Sequence, residues 1–254
     1  MQKISNFDVV FCVFGCVTIE KYKNELVKLT ETWGKKANNM NYKVLFFLGE
    51  EKTEFLPTSS PEILQFVGDD FIYLNGVQND YMSASYKQNL GLKYIYEHYE
   101  CKFIYICGTD TYVHIDNMKD YLSKCDHTKN ISIGAGATRA VNFTDMWYFS
   151  GGGGIILSYK ALSEVYPHLE NMVYNWSLVP KQHLWDLSAA CDVCLCFYLN
   201  LSGCEFIKEN NLFFNWNYLT LDKNIIGCHE MSLLDFDDYT TIINTAPIKD
   251  RMNE

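Results

Sequence analysis

Apolar runs alternate with amphipathic stretches through the first half of the chain, the pattern that builds a parallel sheet covered by helices. Asp8 to Val17 reads as a first buried strand. Ile19 to Lys35 carries Tyr22, Leu26, Leu29 and Trp33 at spacings of three and four, which marks one helical face, and Gly34 supplies a stop signal. Lys43 to Leu48 is a second strand, ended by Gly49 and followed by a polar, proline-bearing loop from Glu50 to Pro61. Phe71 to Leu74 predicts a short third strand. Ser83 to Tyr99 predicts a long helix on Tyr86, Leu90, Leu92, Tyr94 and Ile95, and Phe103 to Cys107 a central strand that stops at Gly108.

The second half predicts helices over Ile115 to Cys125, Ser158 to Val165 and Ala189 to Leu201. Short strands are expected at Ile131 to Ile133, Met146 to Phe149 and Cys204 to Ile207, with four glycines after Phe149 and Ser150. No linker, repeat or low-complexity segment divides the chain, so 1–254 reads as one domain.

A chain of 254 residues, 48% hydrophobic and 20% charged, can bury one substantial core, which excludes a disordered tail protein. No apolar run reaches the length of a membrane span. With 21 basic against 31 acidic residues the net charge is -10, which repels phosphodiester backbones and argues against nucleic acid as a partner.

Lys3 and the run Val9 to Ile19 imitate a secretory leader, yet Asp8 stands where the positive flank belongs and no small-residue cleavage site follows Val17. This favours a cytoplasmic over a luminal setting. Sequons at Asn130, Asn142, Asn175 and Asn200 do not decide the compartment in an Asn-rich chain. Ten cysteines are more than the core needs as staples. Cys12, Cys16 and Cys107 lie in apolar runs, Cys101, Cys125, Cys204 and Cys228 are loop-placed enough to pair, and mostly reduced thiols are expected. Cys191 and Cys194 have a zinc-like spacing without a second ligand pair, so helix packing is the default reading there.

Four stretches can carry chemistry. Asp110, in Gly108-Thr109-Asp110-Thr111-Tyr112-Val113, stands where a buried strand runs out, the edge where ligand sites gather in open α/β sheets. It could ligate a divalent ion, or cap the following helix. Gly151 to Gly154 would let backbone approach a ligand closely, or form a tight turn; no Lys-Ser/Thr follows to make a P-loop. Asp192, entering an apolar helix, could act as a general base or as a cap. His229 could be a packed histidine or a metal ligand.

In order and surroundings these stretches resemble glycosyltransferase family 31, the fringe and core 1 β1,3-galactosyltransferase group, over nearly the full chain. The resemblance rests on Thr32-Trp33 ending a helix, Phe46-Phe47-Leu48-Gly49 ending a strand, and the Lys87-bearing helix leading into Gly108-Thr109-Asp110-Thr111-Tyr112-Val113. It continues with Gly151-Gly152-Gly153-Gly154-Ile155-Ile156-Leu157-Ser158, Cys191-Asp192-Val193 and the late His229. Two departures stand out. The family's acid triplet is reduced to Gly108-Thr109-Asp110, and the first acid before Val193 is replaced by Cys191.

The resemblance implies a GT-A fold, a Rossmann-like mixed sheet flanked by helices, with a nucleotide-sugar half to about residue 113 and an acceptor half from about 114. It implies an inverting, β1,3-type hexosyltransferase that moves galactose, N-acetylglucosamine or glucose from a UDP-sugar to a glycan or glycoprotein hydroxyl. Asp192 would be the catalytic base. Asp110 and His229 would hold Mn²⁺ or Mg²⁺, and Thr109, Asp110, Gly151, Gly152, Gly153 and Lys87 would face the donor. Trp147, Tyr148 and Trp216 could stack on sugars. The alternative is a catalytically impaired relative that binds glycan or nucleotide-sugar; an unrelated α/β protein would bind no UDP. No membrane anchor of the kind carried by Golgi-resident relatives is present in the sequence, and the oligomeric state is left open.

Overall fold

The computed structural model describes residues 3–49, 70–80, 83–141, 144–179, 191–213 and 224–229. Its strands are β1 (Ile4–Phe14), β2 (Tyr42–Leu48), β3 (Phe71–Tyr73), β4 (Tyr99–Gly108), β5 (Tyr112–Val113), β6 (Ile131–Val141), β7 (Thr144–Ser158), β8 (Glu205–Lys208), β9 (Leu212–Phe213) and β10 (Gly227–Cys228). The helices are α1 (Glu20–Glu31), α2 (Trp33–Asn38), α3 (Ala84–His98), α4 (Ile115–Leu122), α5 (Tyr159–Leu169), α6 (Met172–Ser177) and α7 (Cys191–Leu201). Seven strands form one sheet in the order β3-β2-β1-β4-β7-β6-β8, and β5-β10-β9 form a small second one. Strands β3, β2, β1 and β4 run parallel, whereas β7 is antiparallel to both β4 and β6. The mixed α/β architecture expected from the sequence is the one observed.

Strand alternation divides the core into two layers. Val9, Phe11 and Val13 of β1, with Phe103, Tyr105 and Cys107 of β4, pack under α1, α2 and α4. Val10, Cys12, Ile104 and Ile106 face the other way, against α3, α5, α6 and α7. Each fully buried Leu, Ile, Val or Phe contributes roughly 1.5–3 kcal/mol relative to exposure, which makes these layers the main source of stability.

Several boundaries differ from the sequence expectation. β1 starts earlier because Ile4 pairs with Tyr99, and ends at Phe14, where the Gly15 N–H turns to bond the Phe47 carbonyl at 3.1 Å. The expected helix to Lys35 is two helices. Thr32 donates its hydroxyl to the Lys28 carbonyl (2.7 Å) and leaves helical geometry at ψ −110°, so α2 restarts at Trp33. Gly34 is therefore no stop; it lies inside α2, where a Cβ would stand 2.8 Å from the Leu29 carbonyl oxygen. β6 is far longer than Ile131 to Ile133, its small Gly-Ala residues having concealed a strand. β7 runs straight through the glycine run, α5 continues past Val165 with Pro167 inside it, and α6 was not foreseen. Residues 50–69 and 189–190, which held the predicted Glu50 to Pro61 loop and the start of the predicted last helix, lie outside the described residues, as do Asn142 and Trp216.

All ten cysteines are free, as expected. Cys101 and Cys228 lie in strands rather than loops, and Cys194 and Cys196 are buried in α7. Of the sequons, Asn130 and Asn200 donate to the Ser202 and Trp147 carbonyls, whereas Asn175 is exposed on α6. No helix among the described residues is long and apolar enough to cross a membrane.

The upper half of β7 pairs with β6 alone, since β4 reaches only Ile155 to Ser158, and α7 covers the edge thus left. Every fourth helix residue meets every second strand residue. The Gly151 N–H donates to Asp192 Oδ2 (3.0 Å), the Phe149 N–H to Cys196 Sγ (3.3 Å), and Asn200 Nδ2 donates to the Trp147 carbonyl (3.0 Å). Four helical residues rise about 6 Å and two strand residues about 6.6 Å, so the two backbones stay in step. Asn200→Ala removes one rung and its second bond to the Cys196 carbonyl. It should lower stability by about 1–2 kcal/mol in a denaturant titration.

Candidate active site

The carboxyl ends of β1 and β4 meet the glycine run of β7, and the residues singled out in the sequence come together there. β4 ends at Gly108, which places Asp110 just beyond the sheet. A Cβ at Gly108 would stand 2.8 Å from Asp110 Oδ1, so the missing side chain lets the carboxylate fold back on its own strand end. Asp110 does not cap the next helix: His114 does, its Nδ1 accepting the Asn117 N–H at 3.3 Å.

His229 reaches Asp110 through strand register. Gly227 pairs with Val113 and Cys228 with Tyr112, antiparallel, so the next step sets His229 opposite Thr111 and beside Asp110. Its Nε2 lies 3.2 Å from Asp110 Oδ2. The His114 N–H on the Ile226 carbonyl (2.9 Å) and Asn117 Nδ2 on the Ile225 carbonyl (2.7 Å) hold β10 in that register.

Between β6 and β7 the register jumps: Gly134 pairs with Ile155, but Ala135 pairs with Ser150. Gly151 to Gly154 are the residues left unopposed by β6, which makes the run a bulge in a strand rather than a tight turn. Its bare Cα atoms are covered by side chains of the protein. A Cβ on Gly152 would lie 2.5 Å from the His229 ring, one on Gly151 3.2 Å from Asp192 Cβ, and one on Gly154 2.3 Å from Tyr105 Cε1. Gly154 also has φ +95°, a conformation L side chains avoid. The Thr111 hydroxyl donates to the Gly152 carbonyl (2.9 Å) and the Tyr105 hydroxyl to the Gly153 carbonyl (2.7 Å).

Asp192 sits in the first turn of α7, its Oδ1 accepting the Val193 N–H (2.8 Å) and its Oδ2 the Gly151 N–H. It thus serves the helix start and straps β7 at once. A carboxylate offers about four acceptor positions, and Asp192 uses one on each oxygen for these two backbone N–H groups. The two carboxylates are linked by an unbroken series of contacts from Asp110 through His229, Gly152 and Gly151 to Asp192.

A pocket opens on the β1 side of Asp110, lined among others by Phe14, Gly15, Tyr22, Lys87 and Thr109. Lys87 is 1% exposed, with Nζ donating to the Asp80 carbonyl at 3.0 Å. Burial pushes its ammonium below the ordinary 10.5, while Cys16 and Asp80 oppose that shift. Trp147 is 56% exposed and Tyr148 is buried. Two groups escaped sequence reasoning. Tyr105 is a core strand residue whose hydroxyl happens to meet the glycine run. Glu25 on α1 accepts the Thr109 hydroxyl at 3.1 Å. Its signal was present: an acid three residues after Tyr22 and four before Leu29 lies on the face that the periodicity buries.

A divalent ion fits the pair. Cis ligands of an octahedral ion with bonds of about 2.1 Å stand about 3 Å apart, and Asp110 Oδ2 and His229 Nε2 are already at 3.2 Å. The carboxylate oxygen suits Mn²⁺ or Mg²⁺ with further oxygen ligands from a substrate or water, whereas the imidazole nitrogen is the softer donor of the two and the less suited to Mg²⁺. Among the described residues no group of three His, Cys, Asp or Glu side chains converges.

The fold is that of the GT-A glycosyltransferases. Glycosyltransferase GlyE of Streptococcus pneumoniae TIGR4, in its apo form, superposes with a TM-score of 0.54 at 14% identity, over 96% of this chain and 63% of its own. The galactosyltransferase LgtC, solved with donor and acceptor sugar analogues, superposes with a TM-score of 0.50 at 12% identity over 98% of each chain. The chain thus spans less than two thirds of GlyE. No protein-family model matches it. At these identities the likeness is one of fold, and the resemblance to family 31 finds support at the level of the GT-A fold and no further.

Two consequences can be measured. Gly152→Ala drives a methyl group into the His229 ring and should cost about 1–3 kcal/mol, read from the denaturant midpoint. Because the folded chain binds the Lys87 proton less tightly than the unfolded chain does, Lys87 makes stability rise with pH over the window that ends near 10.5. Lys87→Met should flatten that rise in a series of denaturant melts at increasing pH.

Proposed function

We propose that the chain is an inverting, metal-assisted glycosyltransferase that moves a hexose from a UDP-sugar to an acceptor hydroxyl in a β1,3-type linkage. The observation that carries the reading is the series of contacts joining Asp110, His229, Gly152, Gly151 and Asp192 at the carboxyl edge of a GT-A sheet. It gives the two carboxylates separate surroundings. Asp110 faces an imidazole and a pocket; Asp192 faces backbone N–H groups at a helix start.

In this reading Asp192 accepts the proton of the acceptor hydroxyl while that oxygen bonds to the anomeric carbon. The bond to the diphosphate breaks on the opposite face, UDP departs with the electron pair, and the configuration inverts. Asp110 and His229 would hold the divalent ion, which supplies positive charge against the charge developing on the departing diphosphate. Lys87 and Thr109, both lining the pocket, would face the nucleotide-sugar, so that donor recognition falls to the half of the chain up to about Val113. Of the glycine run, the half-buried Gly151 and Gly152 would lie nearest the donor, whereas Gly153 is buried with its carbonyl held by Tyr105. Trp147, exposed on the strand that carries the glycines, is a surface on which an acceptor sugar can stack. The acceptor half begins at about His114, and the acceptor class is a glycan or glycoprotein.

Asp192→Asn should lower the transfer rate at least about a hundredfold while thermal stabilisation by UDP-sugar is retained. Full transfer in that variant would remove Asp192 as the base. Asp110→Ala should abolish the Mn²⁺ dependence of both transfer and UDP-sugar binding. A wild-type protein that is stabilised by UDP-sugar and Mn²⁺ but turns nothing over would be the catalytically impaired relative. One with no response to any UDP-sugar would refute the reading altogether.

A further inference from the structure

We infer that Glu25 is a positioning residue for a divalent cation at Asp110 and His229, acting both by its negative charge and through the Thr109 hydroxyl that it holds; the inference rests on the cation site proposed above. Glu25 is an unusual acid. It is 3% exposed, on the face of α1 that carries Leu26 and Leu29 into the core. Buried carboxylates are costly unless paired and hydrogen-bonded. Its partners are the Thr109 hydroxyl at 3.1 Å and Lys21 Nζ at 3.6 Å from Oε1. Lys21 is largely exposed, and its charge is screened by solvent.

Glu25 and Asp110 thus flank Thr109, one through its side chain and the other through its backbone. Burial first, and the Asp110 charge second, raise the affinity of Glu25 for a proton, with Lys21 opposing. Two like charges set about one threonine are a tension that a cation relieves. The two positions before Asp110 are Gly108 and Thr109, neither charged, so the negative charge behind Asp110 on this strand end comes from α1. Steric fixing acts together with charge. The Thr109 methyl lies 3.0 Å from where a Cβ on Gly15 would stand, and with its hydroxyl held by Glu25 the side chain is gripped on both sides. The loop that presents Asp110 is therefore set by β1, α1 and β4 together.

The test is Mn²⁺ binding to the free protein, followed by the electron paramagnetic resonance signal of unbound Mn²⁺, which needs no sugar substrate and no turnover. Glu25→Gln keeps the shape and an acceptor for Thr109 but removes the charge. It should weaken Mn²⁺ binding about tenfold with an unchanged or raised thermal midpoint, while Asp110→Asn should abolish binding. Thr109→Val, which cuts the link and leaves Glu25 in place, should also weaken binding, and it carries the test if Glu25→Gln does not fold. Wild-type Mn²⁺ affinity in folded Glu25→Gln, or in Thr109→Val where that variant carries the test, would overturn the inference and leave the cation site standing. Absence of Mn²⁺ binding by the wild-type protein would overturn the cation site itself.

Discussion

The missing Cβ atoms of Gly151, Gly152 and Gly154 are the constraint on which this edge of the molecule depends. Each absence is filled by a side chain from elsewhere in the chain: Asp192, His229 and Tyr105. A residue with a side chain at any of the three would push one of these groups out of van der Waals contact, and Gly154 adds a backbone conformation that only glycine adopts at little cost. The run was expected to admit a ligand to the backbone. Its first use is internal, seating three residues that lie far apart in sequence against one strand. Because packed interiors tolerate little change in volume, that seating restricts where the three side chains can lie.

Two further devices keep the seats in line. The antiparallel register of β10 on β5 delivers His229 to Asp110, and the step-matched contacts between α7 and β7 deliver Asp192 to Gly151. Each couples a regular backbone repeat to one functional position, so the geometry follows from secondary structure rather than from loop conformation. Sites carried on strands and helices are held more firmly than sites carried on loops. Glu25 and Thr109 extend the same logic to the short connection bearing Asp110.

Much of this was legible in the sequence, for reasons that can be stated residue by residue. Apolar runs such as Val44 to Leu48 and Phe103 to Cys107 are strands because a central parallel strand is buried on both faces, and hydrophobicity alone marks them. Gly108 ended β4 as expected. What hid was structure made by pairing rather than by composition. Gly134 to Ala137 carry too little apolar surface to announce a strand, yet β6 runs through them because β7 supplies its hydrogen-bond partners. The break at Thr32 depends on one hydroxyl choosing a carbonyl four residues back. Asp110, Asp192 and His229 could be named as candidates from their settings at strand and helix ends. The register jump that brings Gly151 to Asp192, and the burial that makes Glu25 a member of the same cluster, are tertiary facts with at most a faint local trace.

Charge gives the arrangement its direction. The chain is acidic overall, at -10, and its candidate site shares that sign: Asp110 lines the pocket, Asp192 stands in the first turn of α7, and Glu25 is buried. Against them stand a buried Lys87, whose hold on its proton is weakened by burial, and an exposed Lys21. An anionic diphosphate entering such a pocket meets repulsion that two lysines, one desolvated and one screened, offset only in part. In the proposed reading, a cation held by Asp110 and His229 would reverse the sign at the point where a diphosphate would lie. Under the proposed function, the same acids that would repel the nucleotide from the bare protein would draw it in through the ion, and cation binding would precede donor binding.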